Sequence, residues 1–135
     1  MKTDDALALM QRAFMQARSG DTAVLAVIDA GAPINAQNTR GDTMLMLASY
    51  YGHTELVREL LRRGADAELP NDRGQTPLQG VAFKGDLETA QALIDGGAQV
   101  DGADPNGKTP LTWALLFNRD AMVELLNAHG SDVRR

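Results

Sequence analysis

Apolar residues recur along this chain at two spacings, one helical and one of 33 residues. Within one segment, Leu56, Val57 and Leu60 follow the spacing of an amphipathic helix. Equivalent apolar positions then return every 33 residues, in three columns: Leu45, Leu78 and Leu111; Val57, Ala90 and Val123; Leu60, Leu93 and Leu126. Because one unit of this length cannot bury its apolar face alone, we expect the units to stack against one another.

Turn-forming and capping residues carry the same period and mark the ends of the predicted helices. A first helix in each unit is expected to begin after a threonine whose hydroxyl caps free N–H groups, and two of these threonines precede a proline that suits the first helical position. These threonines are Thr43, Thr76 and Thr109. That helix should end in the left-handed conformation at Gly52, Gly85 and Asn118. A second helix should end at Gly64, Gly97 and Gly130.

Residues 76–82 (TPLQGVA) and 109–114 (TPLTWA) resemble the T-P-L-H-x-A signature of the ankyrin repeat. Residues 52–57 and 64–66 match the later part of the same unit, so the resemblance covers residues 6–135. It implies an all-α fold, an ankyrin-repeat solenoid of four stacked helix-turn-helix repeats with short β-turn or hairpin fingers. Small chains of this kind resemble the stand-alone bacterial members of the family.

We expect a single domain over residues 1–135, divided into repeats at residues 4–37, 38–70, 71–103 and 104–135. The first repeat has a longer helix, near residues 4–19, and resembles an N-terminal cap. The last repeat resembles a C-terminal cap, in which Asn127 stands where earlier repeats have Leu61 and Ile94. Terminal repeats need a polar outer side because they have only one neighbour.

The signature histidine of the family is replaced in every repeat that has the signature. The replacing residues are Met46, Gln79 and Thr112. The resemblance implies that this histidine normally forms a hydrogen bond to a neighbouring repeat. We therefore expect that bond to be missing and the stability to be modest.

Composition and charge narrow the possible functions. The 135 residues are 44% hydrophobic and 23% charged, with a net charge of −5 and an isoelectric point of about 4.9. This favours a packed domain and disfavours nucleic-acid binding, which usually needs a basic face. The absence of cysteine excludes disulfides and thiolate chemistry. We expect no signal peptide and no membrane-spanning segment, hence a soluble, cytoplasmic protein.

One stretch, residues 102–109 (GADPNGKT), matches the phosphate-binding P-loop pattern G-x-x-x-x-G-K-T. It lacks the buried strand that should precede it, and the 33-residue period already accounts for Gly107 and Thr109. Asp104 would also place a carboxylate against the phosphates. A nucleotide- or small-ligand-binding protein or enzyme that uses Lys108 is therefore only the alternative hypothesis. No catalytic residue, metal site or cofactor is predicted, and His53 is expected to be structural.

The aromatic residues give the strongest indication of function. Four of the six lie in the two positions before the residue that ends the first helix, in two columns: Tyr50, Phe83 and Leu116, and Tyr51, Lys84 and Phe117. The resemblance implies that these variable positions line a concave binding groove. Trp113 shares their helical face, and Gly80 in the preceding repeat should leave room beside it. The opposing interpretation is that the rings pack between repeats, as large apolar residues usually do.

We therefore predict a non-catalytic protein–protein interaction module, monomeric by itself. It should bind the folded surface of an unidentified partner protein with its concave groove and finger loops. The predicted binding residues are aromatic, basic or large and apolar: Arg40, Tyr50, Tyr51, Arg73, Phe83, Lys84, Lys108, Trp113, Leu116 and Phe117. No nucleic acid or membrane is expected as a partner.

Overall fold

The computed structural model describes residues 3–130, which contain eight α-helices and no strand. The helices are α1 (Thr3–Ser19), α2 (Ala23–Asp29), α3 (Met44–Tyr50), α4 (Thr54–Arg62), α5 (Pro77–Lys84), α6 (Leu87–Asp95), α7 (Pro110–Leu116) and α8 (Asp120–Ala128). None of these helices is both long and apolar enough to cross a lipid bilayer. The helix-turn-helix organisation predicted from the sequence is confirmed.

The helices are arranged in consecutive pairs that stack in two rows. Each pair, from α1 with α2 to α7 with α8, packs together. The first helices of the pairs form an inner row, in which α1 contacts α3, α3 contacts α5 and α5 contacts α7. In the outer row α4 contacts α6 and α6 contacts α8. The result is a solenoid in which each repeat packs mainly on its neighbours.

The repeat columns form the core of the solenoid. The side chains of Leu60, Leu93 and Leu126 are fully buried, and those of Leu45, Leu78 and Leu111 are at most 5% exposed. Within each column the three leucines belong to successive repeats, so burial of the column joins neighbouring repeats. The predicted apolar columns are therefore confirmed as the structural core.

The predicted capping residues begin and end the inner helices. The hydroxyl of Thr43 accepts a hydrogen bond from the Met46 amide. In the same way, the hydroxyls of Thr76 and Thr109 each accept a hydrogen bond from the backbone amide three residues further along the chain. Gly52 and Gly85 have φ values of 78° and 79°, and Asn118, with φ 56°, is the one non-glycine residue with positive φ in the described part of the chain. These left-handed residues turn the chain into the next outer helix.

The finger loops are organised by side chains that also follow the 33-residue period. In each loop a side-chain oxygen accepts hydrogen bonds from the backbone amides two and four residues on, at 2.8–3.1 Å. The accepting residues are Asn38, Asn71 and Asp104. Such Asx turns fix a loop without a β-ladder. The described residues accordingly contain only one isolated bridge, between Gln37 and Thr43.

Neighbouring fingers contact each other through the backbone. The Asp72 amide donates a hydrogen bond to the Arg40 carbonyl at 3.0 Å. A Cβ atom on Gly41 would lie only 2.6 Å from the Asp72 nitrogen, so glycine is required for this close approach. The fingers are therefore held in one row beside the inner helices.

The expected loss of the inter-repeat hydrogen bond is wrong at Gln79. This side chain is 1% exposed, and its Nε2 donates to the carbonyls of Gly102 and Lys108 at 3.2 and 2.9 Å. Gln79 therefore links α5 to the next finger, as the family histidine was expected to do. Thr112 instead completes the capping box at the start of α7.

The two ends of the solenoid differ from each other. Asn127 is exposed on the last helix, as expected for a polar outer side. The first repeat exposes Leu7 and Met15, at 57% and 67%, and it has an apolar groove of about 560 Å³ between α1 and α2. The expectation of a polar outer side is therefore wrong for the first repeat, because apolar residues of both helices lack a neighbour there.

Candidate functional site

A groove of about 730 Å³ lies between the inner helices and the finger loops. We call it the groove; it is bounded by the end of α1 at Arg18, by finger residues within 39–42 and 71–75, and by α3, α5 and α7. Six of the ten predicted binding residues line it: Arg40, Tyr50, Tyr51, Arg73, Phe83 and Trp113. The period of the sequence thus brings together side chains from four repeats.

The other four predicted residues lie beside the groove without lining it. The Lys84 ammonium is 4.7 Å from the centre of the Tyr50 ring, and the Lys108 ammonium is 5.9 Å from that of Trp113. The ring of Phe117 meets that of Phe83. Leu116 is 58% exposed. These residues border the groove at the end of the last inner helix and at the rim.

Three rings from two repeats form an aromatic cluster at the end of α5 and α7. The Phe83 and Phe117 rings meet edge to face with centres 4.6 Å apart, and Trp113 stacks on Phe117 at 6.1 Å. Phe117 nevertheless keeps 43% of its surface exposed. These rings therefore pack between repeats and also face solvent.

The two tyrosines of α3 extend this aromatic surface toward the first repeat. Their rings meet edge to face at 5.4 Å, and Tyr51 is 49% exposed. A Cβ atom on Gly80 would lie 3.3 Å from the Tyr50 ring. The expected open space at Gly80 beside Trp113 is therefore wrong, because Tyr50 of the preceding repeat occupies it.

Arg18 is a groove residue that the sequence analysis missed. Its guanidinium lies 6.0 Å from the centre of the Tyr51 ring, and it lines the groove at the end of α1. It stands 33 residues before Tyr51, in the same column as Lys84 and Phe117. Extending that column into the first repeat would have identified Arg18.

Two buried polar atoms of groove-lining residues have no hydrogen-bond partner in the described part of the chain. They are Oε1 of Gln79, an acceptor, and Nε1 of Trp113, a donor. An unpaired buried polar group costs about 1–3 kcal/mol. Both atoms are shielded from solvent, so they lie within the wall of the groove and are not offered to a bound molecule.

The outer helices carry a different arrangement of charge. On α4, Arg58 pairs with Glu55 and Arg62 pairs with Glu59. Arg63 pairs with Glu59 at 2.7 Å and with Asp29 of the preceding outer helix at 2.9 Å. The hydrogen bond from Arg63 holds the pKa of both Asp29 and Glu59 below their ordinary values. The outer face of α4 is therefore a solvated surface of paired charges.

The P-loop-like stretch forms a finger loop and offers no phosphate cradle. The Asp104 carboxylate accepts hydrogen bonds from the amides of Asn106 and Lys108, at 2.8 and 2.9 Å, which leaves those donors engaged. Among the described residues no strand precedes this loop. No observation therefore supports the alternative nucleotide hypothesis.

The remaining candidate groups serve structural roles or stand apart. His53 is within 2.8 Å of the Arg18 carbonyl and joins the start of α4 to the end of α1, as its predicted structural role requires. His129 is exposed at the end of α8. Within residues 3–130 no group of three or more His, Asp or Glu side chains is arranged to hold a metal ion.

Comparison with known proteins agrees with this architecture. No curated protein matches the chain significantly. A family model described as ankyrin repeats (3 copies) matches residues 12–101 and residues 46–135. These two matches together extend over most of the sequence and over all four helix pairs. The chain belongs to the ankyrin-repeat family.

Proposed function

We propose that this chain is a non-catalytic module that binds a partner protein in the groove and against the finger loops. Ankyrin repeats are generally protein–protein interaction modules, and the family is typically non-catalytic. A fold does not fix a function by itself, so the proposal depends on the groove. The observation that carries it is the row of partly exposed aromatic rings along the groove and its end.

The exposed rings support binding because their burial by a partner is favourable. Tyr51 and Phe117 keep 49% and 43% of their surface exposed although they lie next to other rings. Contiguous apolar surface of this kind marks interaction sites in soluble proteins. Tyrosine and tryptophan also dominate the energetic centres of protein interfaces.

The fingers support binding because they hold their side chains on a fixed backbone. Asn38 and Asn71 close the loops that carry Arg40 and Arg73, and the loops are bonded to each other. A preorganised loop loses little conformational entropy when a partner binds.

The experiment that tests this proposal is site-specific photo-crosslinking of the full chain in extract of the source cell. A photoreactive aromatic residue at Tyr51 reports on the groove, and the same residue at Glu55 reports on the outer helix. Both positions are exposed, so they differ in the face that they probe. We expect one adduct from position 51 that excess unlabelled chain competes away, and none from position 55.

A partner identified in this way is then purified and titrated against the wild-type chain. Saturable binding of this protein, reduced by changes in the groove, supports the proposal. Crosslinks from position 55 alone would show that the outer helices are the working surface. Absence of any competed adduct from both positions would count against a protein-binding role.

A further inference from the structure

We propose that the groove selects an acidic segment of its partner, in which carboxylates flank an aromatic or large aliphatic residue. This inference rests on the proposed function, since it names the chemistry of the partner at the same groove. Three observations support it: the groove is lined mainly by basic charges, these basic groups form no ion pairs within the described part of the chain, and three of them lie over aromatic rings.

The groove has the opposite sign of charge from the chain as a whole. The protein has 13 basic and 18 acidic residues and a net charge of −5. The groove and the rings that it contains bring together five basic side chains: Arg18, Arg40, Arg73, Lys84 and Lys108. The acidic side chains that line it are Asp42 and Asp72. A concave surface concentrates such a field and attracts groups of the opposite sign.

These five basic groups form no ion pair in the part of the chain that the structure describes. By contrast, Arg58, Arg62 and Arg63 on the outer helix are all paired with carboxylates. The Asp42 carboxylate at the groove accepts a hydrogen bond from Asn71, at 3.2 Å. The basic side chains of the groove therefore outnumber its two carboxylates and form no ion pair with them, so they remain free for carboxylates of a partner.

Three of these basic groups lie over aromatic rings, so positive charge and apolar surface are adjacent in the groove. Arg18 lies over Tyr51, Lys84 over Tyr50 and Lys108 over Trp113. A partner's carboxylate that pairs with one of these cations is therefore placed near ring surface on which a neighbouring apolar side chain can pack. Arginine at the fingers adds planar groups that can bind a carboxylate through two hydrogen bonds.

Single-stranded nucleic acid also combines negative charge with groups that stack on rings. The structure favours the acidic protein segment for two reasons. Every nucleotide carries a phosphate, so a strand that extends beyond the groove meets the net negative charge of the rest of the chain. Asp42 and Asp72 also lie on the finger side of the groove, where they would repel a continuous phosphate backbone.

The test measures binding of fluorescent peptide pools to the full chain by anisotropy. Three pools of 12-residue peptides are compared, and in all of them the same positions hold a mixture of aromatic and aliphatic residues. The positions between these are Asp and Glu in the first pool, Asn and Gln in the second, and Lys in the third. A fluorescent oligothymidine of the same length provides the nucleic-acid arm.

We expect the acidic pool to bind at least about tenfold more tightly than the amide pool, with the lysine pool and the oligothymidine weaker still. The double variant Arg40→Gln/Arg73→Gln should weaken binding of the acidic pool about fivefold or more, since it removes two positive charges that can pair with the carboxylates of the peptide. The control double variant Arg58→Gln/Arg62→Gln removes the same charge from the outer helix and should change binding less than twofold. Thermal melting by circular dichroism verifies that both variants fold.

Equal binding of the acidic and amide pools, or no binding of any pool, would overturn the inference. So would equal losses in the two double variants, because a general charge effect would then explain them. Tighter binding of the oligothymidine would assign the groove to nucleic acid instead. Crosslinking at Tyr51 to a partner without an acidic segment leaves the proposed function intact and removes this inference alone.

Discussion

The side-chain amide of Gln79 donates a hydrogen bond to the backbone carbonyl of Lys108 at 2.9 Å. The same nitrogen donates to the carbonyl of Gly102 at 3.2 Å. One buried glutamine in α5 therefore holds both sides of the finger that follows it. This contact joins the core of one repeat to the finger loop of the next.

Removal of the Gln79 amide should destabilise the protein. Gln79→Ala leaves two carbonyls without their donor, and we expect a loss of about 2–3 kcal/mol in the free energy of unfolding. Gln79→His restores the signature residue of the family and should cost less than the alanine change. Urea titration monitored by circular dichroism measures both effects. Gln11→Ala, at an exposed position of α1, is the matched control. Equal stability of the alanine and control variants would show that the two hydrogen bonds are dispensable.

The repeat columns should matter more for stability than the exposed rings. Leu78→Ala and Leu93→Ala empty sites that are at most 1% exposed, and each should cost about 2–5 kcal/mol. Tyr51→Ala and Phe117→Ala should cost about 1 kcal/mol, because nearly half of each ring already faces solvent. Denaturant titration of the four variants compares the classes. Similar losses in all four would place the rings in the core and weaken the case for an interface.

The core could be predicted from the sequence because it depends only on the period. A 33-residue register places Leu45, Leu78 and Leu111 at the same position of successive repeats, and stacking buries them all. The capping residues could also be predicted from the sequence, since Thr43 and Asn118 each act at the end of the helix next to them in the chain. Local chemistry and register are both properties of the sequence itself.

The contacts between groove residues could not be predicted in the same way. Tyr50 lies over Gly80 and beneath Lys84, and these contacts depend on the offset of each repeat and on the side-chain rotamers. The hydrogen bonds of Gln79 do not follow from the resemblance, because the family signature has histidine at that position. The side-chain amide of glutamine extends about as far from the backbone as a histidine ring, and that of Gln79 donates to two carbonyls. Helical periodicity assigns a residue to a face but does not give its neighbours across repeats.

Stability should fall in acid in a way that depends on Arg63. The hydrogen bond and charge of Arg63 lower the pKa of Asp29 and Glu59 in the folded state from ordinary values of 3.8 and 4.5. A folded pKa below the unfolded one means that the stabilisation is complete above the unfolded pKa and is lost as the pH falls through the lowered values. Arg63→Gln should therefore flatten the fall of the urea midpoint below about pH 4.5. Arg58→Gln, which leaves Arg63 in place, is the control and should keep the wild-type slope.

Glu68 should have the opposite effect on stability in acid, because its pKa is raised in the folded state. Burial raises its pKa, partly offset by the hydrogen bond that it accepts from the Gln99 amide. The fold therefore favours its protonated form, and acid relieves a cost that is present at neutral pH. Glu68→Gln should steepen the net loss of stability in acid, since the opposing contribution disappears. An unchanged acid slope in both Arg63→Gln and Glu68→Gln would contradict these assignments.

The chain should not bind ATP with micromolar affinity. The amides of Asn106 and Lys108 already donate to Asp104, and this carboxylate would repel a phosphate at the same place. Equilibrium dialysis against ATP and Mg²⁺ measures any binding directly, with Lys108→Ala as the paired variant. Micromolar binding of ATP by the wild-type chain that is lost in Lys108→Ala would support the nucleotide hypothesis.

The groove should contain the energetic centre of partner binding. Tyr51 and Phe117 offer exposed ring surface at its two sides, with a basic group over Tyr51 and two further rings beside Phe117. Buried aromatic anchors dominate most interfaces, so Tyr51→Ala or Phe117→Ala should weaken partner binding by about 2 kcal/mol or more. Calorimetric titration of each folded variant against the purified partner gives this value.

Changes on the outer helix provide the comparison for these groove variants. Glu55→Ala and Arg62→Ala alter exposed charges of α4 and should change the affinity by less than about 0.5 kcal/mol, as for surface positions outside an interface. Because the pair of Arg63 with Glu59 remains, the outer helix keeps part of its paired charge in both variants. If these changes abolish binding while the groove variants bind normally, the partner contacts the convex face. The exposed rings would then need another explanation, such as packing on a further repeat or on a second copy of the chain.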